Sequence, residues 1–277
     1  MIYSHFSHER KKDNPNDKLL PSFGDMVDAA DRAWNEKNKR TDSYILREDT
    51  KASLQRLGLG LALTTLTAIV FGVTMGLFPF AEGLLGLFLR FVSIIPPLAI
   101  LPILFISFGV DELAKVMLIY LGTTFIAIRD VKDKVQSINR EQIIKALTLG
   151  ANQTQLIAKI VLPMILPRVI SALRLALPAA WLFLIASEAI ASNNGLGYRI
   201  YLVRRYMDMA TIIPYAMWIT VMGISFDFLL IKISQTFFPW NEEKESFFGK
   251  VYRNIVDRLF YKKARQILNQ KSSVNQG

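Results

Sequence analysis

The chain has 277 residues, of which 52% are hydrophobic, and its mean hydropathy is +0.29. A soluble protein of this size needs a more polar surface, so the composition favours a membrane protein over a large soluble helical bundle. The formal charge of +10 is not accompanied by a basic patch interleaved with aromatic residues. We therefore attribute it to cytoplasmic loops facing anionic lipid and predict no nucleic-acid partner.

Several kinds of chemistry lack the residues that they need. The chain has no cysteine, and its two histidines, His5 and His8, both lie in the polar N-terminal stretch. We therefore predict no disulfide, no metal site and no Ser-His-Asp triad. The GxxxxGK(S/T) loop that cradles nucleotide phosphates is also absent, so the sequence predicts no cofactor and no catalytic activity of its own.

Composition divides the chain into three parts. Residues 1–50 form a polar arm without the apolar core of a signal peptide, residues 51–240 contain five long apolar runs, and residues 241–277 form a basic tail. A soluble core helix explains one apolar run but not five, so we predict an all-α polytopic transmembrane bundle with about five spans. The runs are Leu54–Phe80, Leu84–Phe108, Leu113–Ile128, Val169–Ala191 and Ala210–Ile231.

The distribution of charge predicts the orientation of the spans. The connection Arg129–Arg168 and the tail are both rich in lysine and arginine, which predicts that both are cytoplasmic and that Gly109–Glu112 faces outward. We keep this orientation because the loop and the tail agree. Five spans then put the N-terminal arm outside, so that either the arm is carried across with the first span, or an upstream span is missing from this chain or supplied separately. Three arginines in the outer loop argue against the orientation: Arg199, Arg204 and Arg205.

Two features within the apolar runs have structural consequences. Pro96-Pro97 interrupts the second run, and a broken backbone inside a bilayer is tolerated only where neighbouring helices or a water-filled cavity satisfy the freed groups. We interpret it either as a bend that lines a translocation path or as a packing kink. Gly72 and Gly76 form a small-xxx-small pair, which we expect to pack helices within one subunit rather than to mark a dimer face.

Charged residues within the runs need an explanation because they are costly in hydrocarbon. Arg90 and Arg174 can snorkel toward an interface. Glu188 lies near the outer end of the fourth run, and Asp227 lies deep in the fifth. Arg174 and Glu188 are about 21 Å apart along one helix, so they cannot pair with each other on it, but either could pair across helices.

The connection between the third and fourth runs is predicted to form two short helices. Asn139 with Gln142 and Asn152 with Gln155 match capping boxes, and Gly150 suits the end of the first helix and a close approach to a partner. Two apolar faces are predicted, one of Ile143, Ala146, Leu147 and Gly150 and one of Leu156, Ile157, Ile160 and Val161.

Two prolines follow the second of these helices. Pro163 and Pro167 are expected to end it before the next span begins. Periodicity by itself fits an amphipathic linker on the membrane surface equally well.

Several short sequence motifs together resemble those of one transporter family. Because of these motifs, the stretch from about Leu19 to Trp240 resembles the permease subunit of ABC importers for sulfonates, taurine, nitrate and related small solutes. The leading Glu and Ala of the family's cytoplasmic EAA loop are Ile144 and Lys145 here, and the family's first span, expected before Leu19, is absent. The motifs are Lys18-Leu19-Leu20-Pro21-Ser22, Ile95–Pro102, Thr148-Leu149-Gly150-Ala151, Val161-Leu162-Pro163, Ser187-Glu188-Ala189-Ile190 and Gly195-Leu196-Gly197-Tyr198.

The resemblance implies partners and site residues. It implies a second permease copy, expected to be identical, a cytoplasmic ABC ATPase, an extracytoplasmic substrate-binding protein, and surrounding membrane lipid. It places the contact with the ATPase in a coupling loop, residues 139–167. Pro96, Pro97 and Glu188 are expected along the translocation path. The expected coupling residues are Lys145, Ala146, Gly150, Ala151, Ile160, Leu162 and Pro163.

We therefore predict a non-catalytic, multi-pass permease subunit of a bacterial ABC importer in the inner membrane. The alternative is a secondary transporter or channel driven by an ion gradient, which needs ionisable groups at the membrane midplane and often shows an inverted repeat. No clear repeat is present. A membrane-bound enzyme lacks a catalytic constellation here, and a neighbouring ATPase gene would argue against a structural scaffold.

Overall fold

The computed structural model describes residues 20–37 and 44–239, and every regular element in these ranges except one isolated β-bridge is helical. The whole basic tail, residues 241–277, and the start of the polar arm, with His5, His8 and Lys18-Leu19, lie outside the described residues. The predicted boundary at residue 50 falls inside α2. The helices are α1 (Phe23–Asn35), α2 (Ile45–Leu77), α3 (Pro79–Ile94), α4 (Pro97–Phe108), α5 (Glu112–Gln136), α6 (Arg140–Thr148), α7 (Gln153–Leu156), α8 (Leu162–Ala191), α9 (Leu196–Arg204) and α10 (Met209–Phe237).

The long apolar helices confirm an all-α membrane bundle. Three helical runs in the described ranges are long and apolar enough to cross a membrane, namely α2, the continuous run Gln153–Ile190, and α10; the bent pair α3–α4 counts as a fourth if it is one span. α5 does not qualify because Lys115 and Arg129 bracket its apolar stretch, about 20 Å of helix. Within the described ranges, length and apolarity alone therefore identify three or four of the about five predicted spans.

The helices run between two ends of the bundle. α2 and α5 are parallel, since Arg56 meets Glu112 near their starts and Gly76 meets Val135 near their ends. α8 runs the opposite way. Its beginning pairs with α5 through Arg168 and Asp130. We call the end that carries α6 and α7 the loop end, and the end that carries the start of α2 and α9 the distal end.

Two apolar clusters fill the bundle, one toward each end. The cluster toward the distal end joins residues of α1, α2, α4, α5, α8, α9 and α10. The cluster toward the loop end joins residues of α2, α5, α6, α7, the π-turn Ile157–Val161 and α8. Their fully buried side chains include Leu57, Leu118, Ile119, Leu184 and Leu196 in the first, and Ala68, Val131, Val161 and Ile165 in the second.

Glycines let α2 and α5 pack closely. A Cβ added at Gly72 would lie 2.7 Å from Cγ1 of Val131, and one at Gly60 would lie 2.7 Å from Cγ2 of Ile119. Real Cβ atoms do not approach so closely, so these positions require glycine for the observed packing. Gly76 stands in the same relation to Val135. The prediction that Gly72 and Gly76 pack helices within one subunit is confirmed.

We expect Gly72→Leu to destabilise the fold by about 1–3 kcal/mol or more, because the larger side chain must push Val131 and α5 away. The matched control is Gly58→Leu on the same helix, where an added Cβ meets no atom of the described residues within 4 Å other than nearby backbone of its own helix. Thermal unfolding of the purified protein in detergent measures the difference. Equal midpoints for the two variants would contradict this packing.

The Pro96-Pro97 break is confirmed, but the expectation for Pro163 and Pro167 is wrong. α3 ends at Ile94, α4 begins at Pro97, and the two axes differ by 93°. By contrast, the chain stays helical from Gln153 to Ala191. A π-turn at Ile157–Val161 widens the helix just before Pro163, and Pro167 lies in the second turn of α8. A local π-turn is one way in which a helix accommodates a proline without ending.

Candidate functional site

The loop end carries a helix–turn–helix unit formed by α6 and α7. Asn152 and Gln155 form the predicted capping box, with backbone-to-side-chain distances of 2.8 and 3.2 Å. Asn139 caps α6 by accepting from the backbone N–H of Glu141, so the box predicted with Gln142 does not form. Each helix thus begins at an asparagine whose side chain satisfies a free N–H group.

The turn between the helices depends on Gly150. Its φ is +85°, and its N–H donates to Leu147 O while the N–H of Ala151 donates to Ala146 O, both at 3.0 Å. This is the Schellman arrangement, which favours glycine because other side chains are strained at positive φ. Among the described residues, no atom apart from the chain neighbours of Gly150 lies within 4 Å of a Cβ added there. The space beside Gly150 is therefore open to a partner.

α6 presents apolar side chains to the outside. Ile144 is 58% exposed, Leu147 48% and Leu149 88%, whereas Ala146 is buried against the bundle. The predicted face of α6 is therefore divided, since Ala146 points inward and Leu147 outward. The predicted face of the second helix does pack inward, with Leu156 and Val161 buried and the other two members half-buried. Of the expected coupling residues, Lys145 and Gly150 are exposed, and Ala151, Ile160, Leu162 and Pro163 are half-buried.

The distal end contains a network of charges centred on Arg56 of α2. Its guanidinium contacts Glu112 of α5, donates to Glu188 of α8 at 2.7 Å, and donates to Asn194 Oδ1 at 2.6 Å. Arg56 and Glu188 are 2% and 0% exposed. Glu188 also accepts from Ser53 Oγ at 2.7 Å. One arginine therefore joins three helices and the loop after α8.

The first turn of α9 extends this network. The N–H groups of Gly195 and Leu196 donate to Asp49 Oδ1 and Ser53 Oγ, both at 2.9 Å. The N–H of Gly197 donates to Glu188 Oε2 at 2.8 Å. Free N–H groups at a helix start favour carboxylates. Position 195 requires glycine for two reasons. Its φ is +121°, which other residues rarely adopt, and a Cβ there would lie 2.5 Å from Cδ of Glu188.

Arg199 completes the network on α9. Its Nε lies 2.9 Å from Asp49 Oδ2. Burial by itself would lower the pKa of Arg199, but the hydrogen bond and the charge of Asp49 outweigh it, so the pKa lies above its ordinary value. Lys115 adds a further cation, 3.0 Å from Glu112. The network holds three cations and three carboxylates: Arg56, Lys115 and Arg199 with Asp49, Glu112 and Glu188.

Two charged residues within the spans have partners on neighbouring helices. Arg174 pairs across helices with Asp227 at 2.8 Å, and Glu188 pairs across helices with Arg56, as the sequence allowed. The oxygens of Glu188 are taken up by protein donors. Its place on a translocation path, like that of Pro96 and Pro97, stays a prediction.

Sequence reasoning did not single out Arg56, Asp49 or Ser53. A signal was available, because Asp49, Ser53, Arg56 and Gly60 follow the i, i+4, i+7, i+11 spacing of one helix face. Charged residues on one face at the start of an apolar run indicate partners on neighbouring helices. Their partners on α8 and α9 are distant in sequence and could not be named from it.

A second group of cations lies on the outside of α9. A cavity of about 450 Å³ is lined by Tyr198, Tyr201, Arg204, Arg205 and neighbouring residues. The guanidinium of Arg204 lies 5.5 Å from the centre of the Tyr201 ring. Neither Arg204 nor Arg205 has a carboxylate partner within residues 20–37 and 44–239. These are two of the three arginines that argued against the predicted orientation.

Comparison with known proteins identifies the family. Residues 68–239 match the family model described as binding-protein-dependent transport system inner membrane component. The chain belongs to this family. It is 32% identical over 194 residues to a "Probable ABC transporter permease protein" of Brucella abortus, covering 70% of this chain and 78% of that one. It is 31% identical over 192 residues to the taurine transport system permease protein TauC of Escherichia coli, covering 69% and 70%.

The fold agrees with this assignment. Solved structures of the inward-facing MetNI methionine ABC transporter include a chain that superposes with a TM-score of 0.63 at 15% identity, covering 72% of this chain and 98% of that one. At that identity the likeness concerns the fold alone. The protein is thus an inner-membrane permease subunit of the ABC type, a transport protein rather than an enzyme.

Proposed function

We propose that this permease imports a small solute and is driven by a separate cytoplasmic ABC ATPase that binds the α6–α7 unit. The observation that carries the proposal is the set of exposed apolar side chains Ile144, Leu147 and Leu149 around the open turn at Gly150. A short helix with outward apolar side chains fits a groove on a partner. We place contacts of the ATPase also at Lys145, Ala151, Ile160, Leu162 and Pro163, and we propose that Ala146, which is buried, supports this surface from within the bundle.

The continuous helix from α7 into α8 supplies the mechanical connection. Gln153–Ile190 spans 38 residues, or about 57 Å of helix. It begins in the proposed ATPase contact and ends beside Glu188, which is bound to α2 and α9. Movement of the ATPase would therefore reach the distal end as a rigid-body displacement of α8. Differential contacts of the ATPase in its two states would shift the population between inward-open and outward-open forms.

We propose a small anionic or zwitterionic solute of the sulfonate, taurine or nitrate kind. The similarity to the taurine permease supports this class, and so do Arg204 and Arg205, which have no carboxylate partner in the described ranges. In the proposed orientation these cations face the side from which a substrate-binding protein delivers the solute. Pro96 and Pro97, which begin the bent α4, and Glu188 are our candidates along the path.

The remaining partners follow from the exposed surfaces. The most apolar part of α10 is not buried within the chain, and α3 has no buried residue. We propose that a second, identical permease copy and membrane lipid cover these helices. The alternative of a transporter driven by an ion gradient has no support from the comparisons.

Co-purification and transport assays test this proposal. We expect an ABC ATPase to co-purify with the tagged permease, and taurine or an alkyl sulfonate with its binding protein to stimulate ATP hydrolysis in proteoliposomes. An inactive ATPase is the matched control for hydrolysis. Uptake that continues without ATP and collapses with the ion gradient would contradict the proposal.

A further inference from the structure

A groove at the distal end, separate from the charge network, is lined by residues of α1, α2 and α10. Its volume is about 450 Å³. Apolar walls are supplied by Trp34 of α1, Leu46 and Leu54 of α2, and Trp218 of α10. The two tryptophan rings meet edge to face with centroids 5.4 Å apart, and Trp218 Nε1 donates to Thr50 at 3.0 Å.

The rim of the groove is cationic. Arg47, Lys51 and Gln55 follow the i, i+4, i+8 spacing on α2, and all three are exposed. Arg47 stacks on Tyr44, with its guanidinium carbon 4.7 Å from the ring centre. Neither Arg47 nor Lys51 has a carboxylate partner within the described residues. The rim therefore offers two unneutralised cations and an amide above an apolar floor.

The level of the groove along α2 indicates what meets it. The apolar part of α2 from Leu57 to Leu77 is about 31 Å long, close to the ~30 Å hydrocarbon thickness of a bilayer. Lys51 and Arg47 precede Leu57 by about 9 and 15 Å of helix, just beyond the ~5–8 Å headgroup layer, and their long side chains can reach back to a headgroup phosphate. Tryptophan is enriched at this level in membrane proteins. A cationic rim at headgroup depth over an apolar floor matches a phosphate with an acyl chain attached.

We propose that this groove is a binding site for one anionic phospholipid. Its phosphate contacts Arg47 and Lys51, Gln55 donates to a glycerol or ester oxygen, and an acyl chain lies against Leu54 and the tryptophan pair. The lipid thereby holds α1 and α10 against the start of α2. The site depends on membrane insertion of the chain and not on the ATPase or the solute.

Native mass spectrometry of the full chain in neutral detergent tests the proposal, with phosphatidylglycerol and phosphatidylcholine as probes. We expect one tightly held phosphatidylglycerol and weaker phosphatidylcholine. In R47Q/K51Q, phosphatidylglycerol should bind roughly 10- to 30-fold more weakly. Each cation near an anionic lipid surface strengthens lipid binding by about fivefold, and the variant removes two. Both side chains are exposed, so the variant should fold.

The matched control is R204Q/R205Q, which removes the same charge from α9, outside the groove. It should keep the tightly held phosphatidylglycerol. Inorganic phosphate at the same concentration should not displace the lipid, because it lacks the acyl chain. Equal lipid binding by R47Q/K51Q, equal loss in the control, equal affinity for the two lipids, or displacement by inorganic phosphate would each overturn the proposal.

Discussion

Replacement of Arg56 by methionine should destabilise the protein by about 3–5 kcal/mol, because it leaves a buried carboxylate without its cation. Glu188 is fully buried, and Arg56 is its cationic partner at 2.7 Å. The same change removes the contacts of Arg56 with Glu112 and Asn194. We expect the thermal midpoint in detergent to fall by on the order of 10 °C and transport to be lost with it.

Two further variants separate the buried pair from general effects. R168M removes an arginine from the more exposed pair with Asp130 and should cost less than about 1 kcal/mol. R56M/E188Q removes both charges of the buried pair and should recover part of the loss, since no unpaired carboxylate remains on α8. If R56M unfolds no earlier than R168M, the network does not hold the distal end together.

Replacement of Leu149 by glutamate should abolish ATP-driven uptake while leaving the permease folded in the membrane. Leu149 is 88% exposed, so the bundle does not need its side chain. In the proposed complex it lies in an apolar groove of the ATPase, where a carboxylate is costly to bury. We expect association with the ATPase to weaken by about 30-fold or more, the loss typical of a central interface residue.

The matched control is Q142E, which places the same carboxylate in the first turn of α6, where a helix start favours negative charge. Co-purification of the ATPase and uptake should both stay near those of the unchanged protein. Unfolding midpoints measured on the permease alone should be equal for L149E and Q142E. Normal uptake by L149E, or equal loss in both variants, would remove the α6–α7 unit from the coupling mechanism.

Local sequence patterns predicted the elements that depend on neighbouring residues. The capping box of Asn152 and Gln155, the left-handed Gly150 and the break at Pro96-Pro97 all formed as expected, because each requires only a few consecutive residues. Pro163 did not end its helix; a π-turn precedes it, and the apolar side chains of that turn pack in the cluster toward the loop end. The local preference of proline to end a helix is therefore overridden by the tertiary environment of this segment.

Of the two candidate sites, one could be located from the sequence and the other could not. The proposed position of the coupling loop followed from its place between apolar runs and from the spacing Gly150 to Pro163, both of which can be read directly from the sequence. The network around Arg56 did not, because its partners lie 56 to 138 residues away in the chain. A charged residue in a span signals that a partner exists, but the packing of the helices decides which residue it is.

The sequence by itself determined that this protein crosses the membrane as helices, and its motifs resembled those of ABC permeases. An apolar run long enough to span a bilayer satisfies all of its backbone hydrogen bonds within itself when it is helical. The tertiary structure decided which helices touch. Gly72 fits only against Val131, Arg56 finds Glu188 only because α2 and α8 meet, and Leu147 turns outward because Ala146 is the side chain that packs. These choices depend on shape complementarity between segments distant in the chain, which no local pattern encodes.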